Sequence, residues 1–282
     1  MLTFTPYTFG CMSLGKNPAD VDGDLRVVRR AMEARVWFHA SPTYNNGFTY
    51  MVLRRAFDED RTRVPQMVIK VRDASVSLMR FEVEDSCRRL GLEALDVAQL
   101  VSMDPEPGNL VDQLRAGGGA LVDELAALRE RGLIRKAVIF LQRNNSEAAV
   151  EAILGSELVD GAILYWNACQ RECTDAAWST IREREIPTLA LRTLGGGPND
   201  PASQRKADHL SRLIETAGCQ NATEFNLRLA ASEPRILTTI GGTASMAHLE
   251  DFLDCAASAE PLPEPVLQEA RKLQTATPTS AS

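Results

Sequence analysis

Three side chains near the start of the sequence could move protons: His39, Tyr44 and Lys70. A tyrosine hydroxyl ordinarily ionises near a pH of about 10, so it exchanges a proton near neutrality only when a neighbouring ammonium favours the phenolate. Lys70 is the side chain that could supply one. His39 could add a second cation, accept a proton when neutral, or sit in the core as a satisfied polar group. Further along, Arg192 offers a guanidinium that could clamp a carboxylate or phosphate, or pair with Asp104. Trp166, with Tyr165, could floor an aromatic or sugar pocket or simply pack, and Asn167, Met103 and Gln142 complete the substrate-contact candidates. No metal site is expected. Cys169 and Cys173 are the only close cysteine pair, and His209 and His248 are remote from them in sequence.

These candidates share a setting. Short apolar runs rich in β-branched residues alternate with amphipathic stretches of helical length, the pattern of repeated strand–helix units. Strands are expected near 5–9, 35–39, 66–71, 95–101, 136–141, 160–165, 187–192 and 236–240, separated by helical stretches such as Asp24 to Ala34, Val76 to Leu90 and Ser203 to Ala217. Eight such units in about 240 residues is the arithmetic of an α/β protein built as a single (β/α)8 TIM barrel, whose chemistry sits where the strands end and the βα loops meet. No strand runs into a G-x-G-x-x-G turn, which disfavours a doubly wound dinucleotide-binding sheet. The expected organisation is a barrel over 1–260 and a partly mobile tail over 261–282.

The balance of the chain narrows the function classes. Its 282 residues carry 31 Lys plus Arg against 38 Asp plus Glu, a net charge of −7, and 44% are hydrophobic, so it can bury a full core and has no coherent basic face for nucleic acid. No apolar run approaches the roughly 18 residues that span a bilayer, and the opening MLTFTPYTFG does not read as a signal peptide. Six scattered cysteines suit reduced thiols, and the expected location is the cytoplasm, with a small-molecule substrate as partner. The sequence leaves the oligomeric state open.

The motifs then carry a resemblance. Phe9-Gly10-Cys11-Met12-Ser13-Leu14-Gly15, Trp37 to Gly47, Ile69-Lys70-Val71, Leu90 to Val97 and Gly117 to Arg135 follow one another in an order and spacing that resemble the aldo-keto reductases, especially the branch that includes sugar dehydrogenases. That family consists of (β/α)8 barrels that reduce carbonyls with NADPH. The resemblance implies that Tyr44 is the catalytic acid and Lys70 its partner. It also implies departures. His39 stands where the family's aspartate would be, and Val101 where its orienting histidine would be.

The cofactor side departs too. The resemblance puts Phe140 and Leu141 at the serine and asparagine that hold the nicotinamide amide, Ile163 at the glutamine, and Arg192 near the ring that stacks on the nicotinamide. After the last strand Ser245 stands alone, since no Lys or Arg occurs from Ile236 to Ala270. If NADPH is retained, Cys11, Gly242 and Ser245 are the residues expected to touch it. These losses favour a barrel that has left NADPH, works without a cofactor, and uses Tyr44, Lys70 and His39 for non-redox proton transfers such as dehydration, isomerisation or cyclisation. The alternatives are a divergent NAD(P)H-dependent reductase and a catalytically inactive barrel with a binding or regulatory role.

Overall fold

A computed structural model describes residues 3–102, 108–193 and 201–275. The strands β1 (Tyr7–Gly10), β2 (Trp37–Ala40), β3 (Met67–Arg72), β4 (Leu95–Val101), β5 (Ile134–Phe140), β6 (Gly161–Asn167), β8 (Thr188–Leu191) and β9 (Ile236–Gly242) pair in parallel. Pairing of β5 with β6 and of β1 with β9 closes the ring, so the expected (β/α)8 barrel is present. A two-residue strand, β7 (Gln170–Arg171), folds back antiparallel on the end of β6, an addition that so short a segment does not announce in sequence.

Alternation along the strands sorts the barrel into two cores. Trp37, Val68, Val97, Val138, Ile163, Leu189, Leu191 and Ile240 pack together inside the ring, with Phe4 against Trp37 at its lower end. The intervening residues, such as Phe9, Phe38, Ile69, Ala98, Ile139, Leu164 and Ala190, face the helices and form the larger cluster. Two residues beyond the inner layer, the same alternation turns His39, Lys70, Gln99, Phe140 and Tyr165 toward the mouth.

The surrounding helices are α1 (Val21–Glu33), α2 (Phe48–Glu59), α3 (Val76–Leu90), α4 (Leu110–Ala116), α5 (Ala120–Glu130), α6 (Glu147–Leu154), α7 (Asp175–Glu183), α8 (Pro201–Thr216), α9 (Ala222–Ala231), α10 (Met246–Ala257) and α11 (Glu264–Thr275). Several begin where a short polar side chain can accept a hydrogen bond from an otherwise unpaired amide: Ser75 for α3, Ser146 for α6, Thr174 for α7, Asn221 for α9 and Ser245 for α10. The segment after 261 carries α11, which buries Val266, Leu267, Ala270 and Leu273. Buried Lys206 on α8 donates to the backbone carbonyls of Leu273 and Gln274 and to that of Cys169.

Candidate functional site

Tyr44 is held by a turn with an unusual backbone. Asn45 and Asn46 both adopt left-handed conformations, with φ of 49° and 54°, and Gly47 follows at 82°, residue types that tolerate this region. The Asn45 side-chain amide donates to the carbonyls of Met12 (3.0 Å) and Leu14 (2.6 Å), and Thr49 donates to the latter as well (2.9 Å). The turn after β2 is thereby pinned to the loop after β1. Tyr44 is half-buried there, and the Lys70 ammonium lies over its ring, 5.1 Å from the centroid.

His39 joins them, its ring edge-on to Tyr44 with centroids 6.3 Å apart. Its Nε2 lies 2.7 Å from Gln99 Oε1, an arrangement that assigns the proton to Nε2 and makes Gln99 the acceptor. Burial, then the Lys70 ammonium, lowers the imidazole to about 3, against the Gln99 hydrogen bond that opposes the shift. At neutral pH His39 is therefore a neutral group tied to β4 and not a second cation. Gln99 is a member of this cluster that sequence reading missed; its two-residue offset from Val97 on an inward-facing strand is the signal that could have found it.

Charge in the mouth is one-sided. Lys70 has its pKa lowered, first by burial and then by the nearby Arg192 guanidinium, and among the described residues no carboxylate pairs with either cation. Burial, followed by Cys11 and Tyr165, keeps the Tyr44 hydroxyl well above its usual value, so it stays protonated. The Arg192 guanidinium lies over the Tyr165 ring, 4.0 Å from its centroid, and Tyr165 stands edge-on to Phe140 at 5.1 Å. Arg192 is itself left-handed, with φ of 55°, and its carbonyl accepts a hydrogen bond from Asn167 Nδ2 (2.9 Å).

The other substrate-contact candidates are placed differently. Trp166 is fully buried in the sheet–helix layer, away from the mouth, as its position between the inward-facing Tyr165 and Asn167 requires. Asn167 is buried and committed, donating to Arg192, accepting from the Cys169 amide (2.8 Å), and receiving Gln274 of α11 at its own carbonyl (2.8 Å). Gln142 is half-buried, with Nε2 3.3 Å from the Ser102 carbonyl. Met103 lies outside the described residues.

A cavity of about 540 Å³ opens where the β1 and β9 loops meet the start of α10. Gly242 and Ser245 line it, together with Ser13, Lys16, Asn17, Asp20, Asp24, Thr243, Ala244 and His248, whereas Cys11 is fully buried. Gly242 is required by its neighbour: a Cβ there would lie 2.7 Å from the Gly10 carbonyl oxygen. Lys16 supplies a cation that the 236–270 stretch lacks, and it follows directly on Gly15 of the first-strand motif, a signal visible in sequence. Glu250, on α10, is taken by a forked contact from Arg30 at 2.7 and 2.9 Å. A larger cavity of about 780 Å³, between α2 and α3, is lined by none of the strand-end residues. Among the described residues no cluster of His, Cys, Asp and Glu is arranged to hold a metal ion, and no helix is long and apolar enough to cross a membrane.

No protein-family model matches the chain, and no curated protein is similar to it. Solved structures do match. An aldo/keto reductase from Klebsiella pneumoniae in complex with NADP and acetate superposes with a TM-score of 0.77 at 17% identity, over 96% of this chain and 92% of that one. An aldo-keto reductase from Bacillus halodurans in its holo form gives 0.76 at 19% identity, over 98% and 96%. A Klebsiella pneumoniae aldo-keto reductase in complex with NADPH gives 0.76 at 17%, over 99% and 98%. The chain has the aldo-keto reductase fold. The expectation of a barrel without a cofactor, given over to non-redox proton transfer, is overturned by this comparison, because structures of the same fold carry NADP or NADPH. It rested on apolar Phe140, Leu141 and Ile163 at the amide positions, on Arg192 near the stacking ring and on the lack of Lys or Arg from Ile236 to Ala270, and it left out Lys16, which reaches the cavity from the β1 loop.

Proposed function

We propose that the chain is a divergent NAD(P)H-dependent aldo-keto reductase that reduces the carbonyl of a small organic molecule. The observation that carries this reading is the Tyr44–Lys70 pair at the mouth of a barrel whose solved counterparts hold NADP or NADPH. The residues present fit a dinucleotide at its phosphate end. Ser245 caps α10 beside that helix's free amides, and Lys16 and His248 line the same cavity, a donor set suited to phosphate oxygens. The two carboxylates that line the cavity are engaged by backbone amides, Asp24 accepting from Gly15 (2.6 Å) and Asp20 from Gly23 (3.1 Å), and Glu250 nearby on α10 is paired with Arg30. At the amide end Phe140, Leu141 and Ile163 are apolar, and the last two are fully buried in the packed cores, so these three positions offer the amide no polar side-chain contact. Six cysteines, none of them in a disulfide, support a cytoplasmic enzyme.

When bound, the reduced cofactor supplies the hydride that a carbonyl carbon needs. The protein's part is the proton. Tyr44, kept protonated by burial, donates from its hydroxyl to the carbonyl oxygen, and the Lys70 ammonium over its ring favours the phenolate left behind. His39, neutral and fixed to Gln99, keeps the floor beneath them rigid.

Titrating the protein with NADPH by fluorescence tests the reading. Saturable binding with a dissociation constant of about 1 μM, roughly −8 kcal/mol, is expected. Lys16→Gln should weaken it about tenfold, one lost charge-assisted contact being worth about 1.4 kcal/mol. Absence of saturable binding would overturn the proposal.

A further inference from the structure

Among the described residues, two cations in the mouth have no carboxylate partner. Lys70 and Arg192 project from opposite sides of the ring, β3 and the end of β8, and no described carboxylate pairs with either. The chain is acidic and its other basic side chains so often find carboxylates that half-buried Lys70 and exposed Arg192, facing one mouth, are placed to receive an anion. The backbone points the same way. Arg192 holds a left-handed conformation that costs a non-glycine residue about 1–2 kcal/mol, and Asn167 fixes it there. Strain maintained at the mouth of a barrel marks a side chain being presented.

Resting on the reductase reading above, we infer that the substrate is a 2-oxo acid, its carboxylate held by Arg192 and Lys70 and its adjacent carbonyl facing the Tyr44 hydroxyl. The Arg192 guanidinium sits over Tyr165, 4.0 Å from the ring centroid, and its planar set of N–H donors is a fork matched to a planar carboxylate. In the step itself the carbonyl carbon gains a hydride from NAD(P)H, the oxygen gains the Tyr44 proton, and the carboxylate is unchanged. The product is a 2-hydroxy acid and the oxidised cofactor, with solvent restoring the proton to Tyr44.

Calorimetry of the full chain with oxamate, a non-reducible 2-oxo acid mimic, provides a readout independent of turnover. Saturable binding is expected, and Arg192→Gly, which suits the left-handed backbone while removing the guanidinium, should weaken it at least tenfold. The same variant should raise the KM for pyruvate at least tenfold, and by a clearly larger factor than the KM for propionaldehyde, which has no carboxylate. Arg192→Lys should recover part of the oxamate affinity, because charge returns without the fork. Oxamate that fails to bind, or binds wild type and Arg192→Gly alike, overturns the inference, as does inorganic phosphate binding more tightly than oxamate through Arg192. NADPH titration of the same preparations keeps the two proposals apart. Saturable NADPH with no oxamate binding sinks the substrate class alone, whereas Arg192-dependent oxamate binding without NADPH binding supports the carboxylate site and sinks the reductase.

Discussion

At the scale of single residues, the proposed site pairs two groups whose surroundings push them in opposite directions. Burial keeps the Tyr44 proton on and makes the Lys70 proton easier to lose. Tyr44→Phe should lower kcat for carbonyl reduction by a factor of about 10² to 10⁴ and leave NADPH binding unchanged, which steady-state kinetics and the fluorescence titration would separate. Unchanged turnover would mean that Tyr44 moves no proton. His39 carries a stability prediction. Its imidazole is held near 3 in the folded protein, against an ordinary value of 6.5. Between those values the unfolded chain binds the extra proton, so the stability contributed by keeping His39 neutral is fully present above about 6.5 and is lost as pH falls toward 3. Urea unfolding at pH 7 and pH 4.5 should show this loss in wild type, with a smaller slope in His39→Gln. Tyr44, Lys70 and His39 were legible in sequence because each sits at a fixed offset from a strand. The neutrality of His39 was not, since it depends on Gln99, which is 60 residues away.

At the scale of elements, strand ends are tied to one another by side chains that do no chemistry. Asn167 at the end of β6 holds the carbonyl of Arg192 after β8 and the amide of Cys169, while Gln274 of α11 holds the Asn167 carbonyl. Asn167→Ala leaves buried partners unsatisfied, and should cost about 1–3 kcal/mol in thermal or urea unfolding and weaken oxamate binding through Arg192. Conversely, unchanged oxamate affinity would show that Arg192 is oriented without this tie. All eight barrel strands fell where alternation placed them, because period-two burial is written locally. Loops were harder to read. Asn167 follows an aromatic pair at a strand end and resembles a ligand contact, yet strand parity sends Trp166 outward, and the residues that occupy Asn167 lie on β8 and α11. Lys16 shows the reverse error: its loop neighbours Ser245 only after β1 and β9 have paired.

At the scale of the whole molecule, α11 is part of what holds the mouth. It buries Val266, Leu267, Ala270 and Leu273, and its last turn supplies carbonyls to Lys206 and an amide to Asn167. Removing residues 264–282 takes those side chains away and exposes the surface they cover, a loss of about 1.5–3 kcal/mol for each large one. Thermal unfolding should then fall by about 10 °C or more, and oxamate binding should fall with it. A truncated chain that melts like wild type would show that α11 rests on the barrel without supporting it. The ring itself is closed by its first and last strands, through Tyr7 Oη on the Gly241 carbonyl (2.8 Å) and Thr8 against Thr238 (2.8 Å), contacts more than 200 residues apart. During synthesis β1 must therefore wait, with one edge unpaired, until nearly the whole chain has left the ribosome. Tyr44 and Lys70 emerge early but face Arg192 and the α10 cavity only at that last pairing, so folding should be slow for a chain of this length and most vulnerable to aggregation just before the ring shuts.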